Sequence, residues 1–354
     1  MDIVFIINPG STSTKVAIAN REQLIEEKEV SHSREELAGY PNVADQLQLR
    51  KGAVEAALKE WLSGDNKVVA IAGRGAPLKP LSGGTYQINE AMLSDLRTAK
   101  YSNHASNLGA LLASELANFH QVPAFIVDPV TVDEFPPEAK ISGDPDIPRK
   151  CRWHALNLRA CARLAAAELG KPLEQTKFVA AHLGGGISVA ALDGGRVVDV
   201  NDGLLGMGPF SPERAGALPI GGLLKQAFSG KYTERDLIDR YSRNSGFAGY
   251  LGTSDFREVE KRMDSGDELA RTVYRAFVLQ LAKEIGAMAA VLGGVDGIVR
   301  SGGLARSKRL MDDLLAKTNW IAKSYDYPGE HEMLALATGA FRVIDGKETP
   351  LIYS

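Results

Sequence analysis

The feature that most constrains this chain is a β-strand pattern that occurs twice. Residues 2–30 contain an apolar strand, a turn rich in glycine and hydroxyl residues, a second apolar strand and a third β-rich stretch. Residues 177–202 repeat this plan around three successive glycines. The two copies lie about half a chain apart, whereas solenoid repeats recur every ~20–50 residues. The pattern therefore predicts a duplicated domain core.

Helical patterns follow each copy. Residues 45–63 and 103–119 are predicted helices, and residues 268–292 are apolar nearly all round, which predicts a buried helix. Strands with hairpin starts, mixed with helices, favour an α/β fold with partly antiparallel sheets. A chain of 354 residues suits two domains of roughly 100–200 residues each.

Charge and composition exclude several classes of protein. The net charge is −3 and the pI is near 6.1, so the basic excess of a nucleic-acid or membrane-surface binder is absent. Met1 and Asp2 lead straight into an apolar strand without a basic leader, and no apolar stretch is long enough to span a bilayer. Residues 150–169 are also a predicted helix, on which Cys151 and Cys161 lie too far apart to pair, so both are expected to be buried free thiols. We expect a cytoplasmic protein.

The first glycine turn lies in the segment Asn8–Lys15, NPGSTSTK. Gly10 allows the backbone to approach a ligand closely, and the turn supplies hydroxyl and N–H donors that suit a phosphate oxyanion. The GxxxxGK[ST] spacing of a Walker A loop is absent. An ordinary hairpin turn is the alternative for this segment.

Two further glycine turns follow apolar strands. His182 precedes Gly184, Gly185 and Gly186, and consecutive glycines weaken a strand, so we expect them to admit a phosphate chain. A flexible hairpin is the alternative. Gly302 and Gly303 follow the strand that begins at residue 297 and precede a helix, a typical place for a nucleotide.

Together, these three segments resemble the phosphate 1, phosphate 2 and adenosine motifs of the acetate and sugar kinase/Hsp70/actin superfamily. Within it, NPGSTSTK, AHLGGGISVA, SDFRE and RSGGLA resemble the acetate kinase family. The resemblance implies an actin-like ATPase (ribonuclease H-like) α/β fold, duplicated in two domains around a cleft. Residues 1–150 with 329–354 would form the acceptor and phosphate 1 domain, and residues 151–328 the nucleotide-binding domain.

The resemblance implies direct phosphoryl transfer from ATP to a short-chain carboxylic acid, giving ADP and an acyl phosphate, with Mg²⁺. A carboxylate has a pKa of about 4 and needs no general base at neutral pH. The catalyst must instead supply positive charge and in-line alignment to bring two anions together. We expect a homo-oligomer, a dimer or larger, that binds neither nucleic acid nor membrane.

The resemblance also assigns site residues. Arg74 would bind the acceptor carboxylate and Arg214 would be the second active-site arginine; a solvated Arg74 and a local ion pair between Arg214 and Glu213 are the alternatives. His104 would lie on the substrate side. Phosphoryl and phosphate groups would be contacted by the side chains of Asn8, His154 and His182 and by the turn residues Gly10, Ser11, Ser13, Lys15, Gly184, Gly185 and Gly186. Gly302 and Gly303 would contact the nucleotide. Purely structural roles for His104 and His154 stay open.

Asp128, at the end of a predicted strand, and Glu332, at the start of the last helix, would hold Mg²⁺ directly or through water. Favourable charge at a helix N-terminus is the alternative for Glu332. Asp255, Phe256 and Arg257 match a motif near the nucleotide, although a helix-capping aspartate and a buried phenylalanine explain most of it. The three remaining histidines, at positions 32, 120 and 331, are expected to be solvated.

Ala76 lies two residues after Arg74, where acetate kinases tend to carry a bulkier apolar residue. We expect a pocket lined by Ala76, Trp153 and Pro209 that takes a longer or branched acyl chain, at about 0.8 kcal/mol per buried CH₂. The alternatives are a kinase for acetate or propionate, or a sugar or other hydroxyl kinase with Asp128 as general base. An ATP-driven chaperone or filament protein is the non-enzyme alternative, but such chains usually carry large insertions.

Overall fold

The computed structural model describes residues 1–62 and 66–354 and divides them into two compact units. The first unit contains Met1–Asp133 and His331–Ser354, and the second contains Glu134–Glu330. Residues 134–150 and 329–330 thus group with the second unit, whereas the predicted boundaries included them in the first domain. The assignment of separate functional domains stays a prediction.

The elements are numbered along the whole chain. The strands are β1 Asp2–Pro9, β2 Ser13–Ala19, β3 Leu24–Ser31, β4 Lys67–Arg74, β5 Thr85–Gln87, β6 Ala124–Val127, β7 Lys177–Leu183, β8 Ile187–Asp193, β9 Arg196–Val200, β10 Gly297–Gly302, β11 Ser324–Pro328 and β12 Leu351–Ile352. The α-helices are α1 Arg34–Ala38, α2 Leu47–Trp61, α3 Glu90–Arg97, α4 Asn107–His120, α5 Ala155–Leu169, α6 Ile220–Ala227, α7 Glu234–Arg243, α8 Gly246–Leu251, α9 Phe256–Asp264, α10 Glu268–Leu292, α11 Lys308–Thr318 and α12 Glu332–Ile344.

The sheet of the first unit has the order β12-β5-β6-β4-β1-β2-β3 in the described part of the chain. β1 and β2 form an antiparallel hairpin in which Pro9 lies opposite Thr14, and β4 and β6 run parallel to β1. The carboxyl ends of β1, β4 and β6 therefore meet at one edge of the sheet, which is where ligands bind in open α/β sheets. Helices α4 and α12 pack against these strands.

The sheet of the second unit repeats this plan in the order β11-β10-β7-β8-β9. β7, β8 and β9 form consecutive antiparallel pairs, and β10 runs parallel to β7 on its other side. The predicted duplication and the α/β fold are confirmed. His182 on β7 lies opposite Ser301 on β10, so the second and third glycine turns leave the same edge of this sheet.

Local signals explain where the helices begin and end. Asp267 caps the N-terminus of α10 by accepting from the Ala270 amide, and Gly293 ends it in the left-handed conformation. The helix predicted at residues 45–63 spans Leu47–Trp61, and its predicted end at residue 63 lies outside the described residues. In the described part of the chain, no helix is long and apolar enough to cross a membrane. Cys151 and Cys161 are buried free thiols, as predicted.

Candidate active site

The first glycine turn joins β1 to β2 and is closed by a hydrogen bond from the Gly10 amide to the Ser13 carbonyl, at 2.7 Å. Ser11 is exposed, and Ser13 and Lys15 are half-buried on β2. The amides of Ser11 and Thr12 make no hydrogen bond to any described residue. Two donors at the tip of the turn are therefore available to an anion, as a phosphate site requires.

A buried arginine that the sequence analysis missed lies behind this turn. Arg50 on α2 is fully buried, and its guanidinium donates to the carbonyls of Gly10, Ser11 and Ser13 at 2.8–3.1 Å. The prediction that His32 is solvated is wrong. His32 is buried, with Nε2 3.0 Å from the Thr14 hydroxyl, and burial followed by the charge of Arg50 lowers its pKa.

Arg74 ends β4 at the ligand edge of the first sheet, where its guanidinium is ion-paired to Glu332. Nη1 donates to Oε2 of Glu332 at 2.6 Å and Nη2 to Oε1 at 3.0 Å. Asn8 completes the group, since its Oδ1 accepts from Nη1 of Arg74 at 3.3 Å and its Nδ2 donates to Glu332 at 3.4 Å. The structure thus brings three predicted residues together, and Arg74 is an ion-paired, half-exposed residue rather than a solvated one.

His104 precedes α4, and its Nδ1 accepts from the Ser106 amide at 3.2 Å and lies 2.8 Å from the Ser106 hydroxyl. Burial, followed by the nearby charge of Arg74, lowers the pKa of His104. A ring that accepts at Nδ1 is neutral and carries its proton on Nε2. His104 therefore lies in the field of Arg74 as a neutral side chain.

Asp128 directly follows β6 at the same sheet edge and adopts a left-handed backbone with φ of 40°. It is buried, and its Oδ1 accepts from the Gly84 amide at 2.8 Å. Such a backbone is uncommon outside glycine, although aspartate tolerates it better than most residues. The tight turn after β6 therefore holds this carboxylate in place.

Asp128 and Glu332 supply oxygen atoms, which Mg²⁺ prefers, and Mg²⁺ commonly needs only one or two carboxylates beside water and phosphate oxygens. Among residues 1–62 and 66–354, no group of three or more His, Cys, Asp or Glu side chains could hold a metal by itself. The oxygen donors of these two carboxylates therefore fit the chemistry of a magnesium ion completed by substrate phosphates. Glu332 is also the partner of Arg74.

In the second unit, two histidines stack at the second glycine turn. The rings of His154 and His182 lie 3.9 Å apart between centroids and are nearly parallel, at 14°. Nδ1 of His154 is 2.9 Å from the Ser188 hydroxyl, and Nδ1 of His182 is 2.9 Å from Nδ2 of Asn157. Burial, followed by the charge of Arg214, lowers the pKa of His182 to about 4. His182 is therefore neutral at pH 7, with its proton on Nε2 when Nδ1 accepts from Asn157.

Arg214 lies beside the same turn and donates to the Gly203 carbonyl. Its Nε is buried without a hydrogen-bond partner among the described residues, and burial lowers its pKa. Among the described residues Arg214 forms no ion pair with Glu213, although the charges of Glu213 and Asp202 act to raise its pKa against the effect of burial. A buried guanidinium with an unused donor suits an anionic ligand.

The glycines of these turns are needed for different reasons. A Cβ at Gly184 would lie 2.9 Å from Nε2 of His182, one at Gly186 would collide with the Arg214 guanidinium, and one at Gly302 would collide with the Leu183 carbonyl. The Leu183 backbone therefore requires glycine at position 302, whereas a Cβ at 184 or 186 would displace the His182 or Arg214 side chain. A Cβ at Gly185 would meet only Oε2 of Glu213, at 3.9 Å, and one at Gly303 would meet nothing within 4 Å, so a ligand has room to approach these two positions.

The Asp255-Phe256-Arg257 segment is explained by local structure. Asp255 caps α9 by accepting from the Arg257 amide at 2.9 Å, and its carboxylate pairs with the Arg257 guanidinium at 2.7 Å. This hydrogen bonding lowers the pKa of Asp255 to about 2. Phe256 packs into the core of the second unit. Their nucleotide-binding role stays a prediction.

The residues predicted to line the acyl pocket are all buried. Ala76 belongs to the core of the first unit, whereas Trp153 and Pro209 belong to the second. Core packing is sufficient to explain the small side chain at position 76. The shared pocket stays a prediction.

Two duplicated sheets that end in glycine turns, with basic side chains beside them, are typical of the actin-like ATPase fold. Residues 147–329 match the acetokinase family. The chain is 46% identical over 351 residues to proteins named probable butyrate kinase from Clostridium botulinum strains Alaska E43 and Eklund 17B, covering 99% of each chain. A protein of the same name from Listeria innocua is also 46% identical. The chain belongs to the acetate kinase family.

Solved structures support the fold. The acetate kinase of Porphyromonas gingivalis has a TM-score of 0.80 at 18% identity and covers 98% of this chain and 100% of that one. A propionate kinase from Francisella tularensis has a TM-score of 0.72 at 18% identity, covering 96% and 99%. A ROK family protein from Streptococcus pneumoniae, at 0.54 and 14%, covers 98% and 100%. The predicted actin-like fold class is confirmed.

Proposed function

We propose that this enzyme is a butyrate kinase, which transfers the γ-phosphoryl group of ATP to a short-chain or branched carboxylate and forms an acyl phosphate. The observation that carries the proposal is Arg74, which is fixed at the ligand edge of the first sheet by Glu332 and Asn8. The names of the curated relatives point to butyrate as the acceptor.

Arg74 retains the donors that a substrate carboxylate needs. Glu332 and Asn8 accept from Nη1 and Nη2, while no described residue accepts from Nε. The acceptor is already ionised at neutral pH, so Arg74 has to offset repulsion between anions rather than move a proton. Neutral His104 adds a donor at Nε2 without competing as a second cation.

Each unit carries preorganised donors that would stabilise phosphate charge, and such stabilisation is the largest contribution in phosphoryl transfer. In the first unit these are the Ser11 and Thr12 amides. In the second they are Nε2 of His182 and the guanidinium of Arg214. His154 is stacked on His182 beside the same turn. Asp128 and Glu332 would hold Mg²⁺, which neutralises phosphate charge when bound.

A hydroxamate assay of acyl phosphate formation tests the proposal. Wild-type enzyme with ATP and Mg²⁺ is offered acetate, propionate, butyrate and isobutyrate, and release of ADP is followed in parallel with sugars as acceptors. We expect the highest kcat/KM with butyrate or isobutyrate. A clear preference for acetate would reassign the acceptor, and ADP release with a sugar but no hydroxamate would overturn carboxylate kinase activity.

Two expectations from the sequence remain proposals. We propose a homo-oligomer, which light scattering coupled to size-exclusion chromatography would measure. We also propose that the enzyme works in the cytoplasm, which cell fractionation would test.

A further inference from the structure

The buried guanidinium of Arg50 is enclosed by neutral acceptors. Nε and Nη2 donate to Oε1 of Gln46 at 3.1 and 2.8 Å, and Nη1 also lies 3.2 Å from the Thr14 hydroxyl. Together with the three turn carbonyls, these acceptors engage every N–H group of the Arg50 guanidinium. No carboxylate among residues 1–62 and 66–354 pairs with Arg50, and burial lowers its pKa.

A buried, unpaired charge is costly, so its position calls for a physical reason. Arg50 lies directly behind the first glycine turn, since it binds the carbonyls of Gly10, Ser11 and Ser13. The Thr12 carbonyl is engaged from another direction, by the His32 amide at 2.8 Å. Every carbonyl from Gly10 to Ser13 is thus held by the protein.

This arrangement fixes the electrostatic character of the turn. Carbonyl oxygens that faced a phosphate would repel it, whereas here three of them are directed at the guanidinium. The amides of Ser11 and Thr12 remain without a partner among the described residues. The positive charge behind the turn acts through buried protein, where solvent screening is weak.

We propose that Arg50 is the positioning residue of the phosphate 1 turn: it holds the turn carbonyls away from the ligand, and its charge is balanced by the phosphate when ATP binds. The inference rests on the proposed function only in taking ATP as the ligand. Arg50 does not touch the substrate, because the turn lies between them.

The test compares Arg50→Lys and Arg50→Met with Val54→Ala by isothermal titration calorimetry of ATP, ADP and adenosine. Val54 is a fully buried residue one turn along α2, so its truncation destabilises the same helix without touching the turn. We expect Arg50→Met to raise the Kd of ATP about tenfold or more, because a charge and a set of charged hydrogen bonds are lost. The adenosine Kd should not change.

Arg50→Lys preserves the charge but has three donors in place of five, so we expect a smaller rise, about threefold. If Arg50→Met does not fold, Arg50→Lys is the variant that tests the proposal. A folded Arg50→Lys or Arg50→Met protein with wild-type ATP affinity would overturn the proposal, as would an equal rise in Val54→Ala or an equal loss of adenosine binding. Since ATP affinity is measured, the result is independent of which acid the enzyme phosphorylates.

Discussion

Arg74 and Glu332 form a two-point ion pair, with Nη1–Oε2 and Nη2–Oε1 distances of 2.6 and 3.0 Å. The partners are 258 residues apart in sequence, and they meet because α12 returns to the first unit and packs against β4. The position of the proposed substrate-binding cation therefore depends on the last helix of the chain.

Replacement of Arg74 by alanine should abolish most activity. Loss of the cation leaves repulsion between the acceptor and the phosphates uncompensated, and we expect kcat/KM for the carboxylic acid to fall about 10²–10³-fold. The hydroxamate assay measures this directly. Arg97→Ala is the control, because Arg97 is an exposed, ion-paired arginine of the same unit. Activity within tenfold of wild type would remove Arg74 from the mechanism.

Replacement of Glu332 by glutamine separates its two proposed roles. Arg74 would lose its charged partner, so we expect KM for the acid to rise about tenfold. If Glu332 also holds Mg²⁺, the Mg²⁺ concentration for half-maximal rate should rise as well. Asp128→Asn is the comparison, because Asp128 binds the Gly84 amide rather than Arg74 and should change mainly the Mg²⁺ requirement. An unchanged requirement in either variant would exclude that residue from the metal site.

The low pKa of His182 predicts that the folded protein becomes less stable in acid. In the unfolded chain this histidine takes up a proton near pH 6.5, but the folded protein resists protonation until about pH 4. Between these values the unfolded state binds more protons, so the free energy of unfolding falls as the pH falls. The contribution of His182 should be about 2 kcal/mol between pH 7 and pH 5.

Urea unfolding of wild type and His182→Gln at pH 7 and at pH 5 measures this contribution. His32 and His104 also have lowered pKa values, and their contributions cancel in the comparison because both proteins retain them. His120→Gln serves as a control for histidine replacement elsewhere. If the free energy of unfolding depends equally on pH in wild type and His182→Gln, His182 is not a buried neutral side chain.

The duplicated hairpins and the long helix α10 could be predicted because their signals are local. Alternating apolar residues and glycine turns define β1–β2 and β7–β8, and Asp267 and Gly293 mark the ends of α10. The resemblance to the acetate kinase family added Arg74 and Glu332, which no local pattern would have paired.

Arg50 could not be predicted because its role comes from tertiary contacts. It lies on a helix about 40 residues after the turn, where an arginine normally indicates a solvated face. The sequence also does not reveal why glycine occupies positions 184 and 186. Gly184 and Gly186 make room for His182 and Arg214, which depends on side-chain packing that the run of three glycines does not reveal.

The role of Ala76 provides a final prediction. Its side chain is buried in the core of the first unit beside Gly75, which itself has no room for a Cβ because Pro129 lies only 2.6 Å away. Ala76→Val would overfill this core at a cost of about 1–3 kcal/mol. If Ala76 also borders the acyl chain, the larger side chain should reduce kcat/KM for butyrate more than for acetate, about fourfold for each CH₂ excluded.

Thermal unfolding and the hydroxamate assay with both acids distinguish these effects. A lower melting temperature with an unchanged ratio of kcat/KM for butyrate and acetate would show that Ala76 only packs the core. A ratio shifted toward acetate would place it beside the acyl chain. Leu78→Ala is the matched control, since it perturbs the same buried core two residues further on and should leave the ratio unchanged.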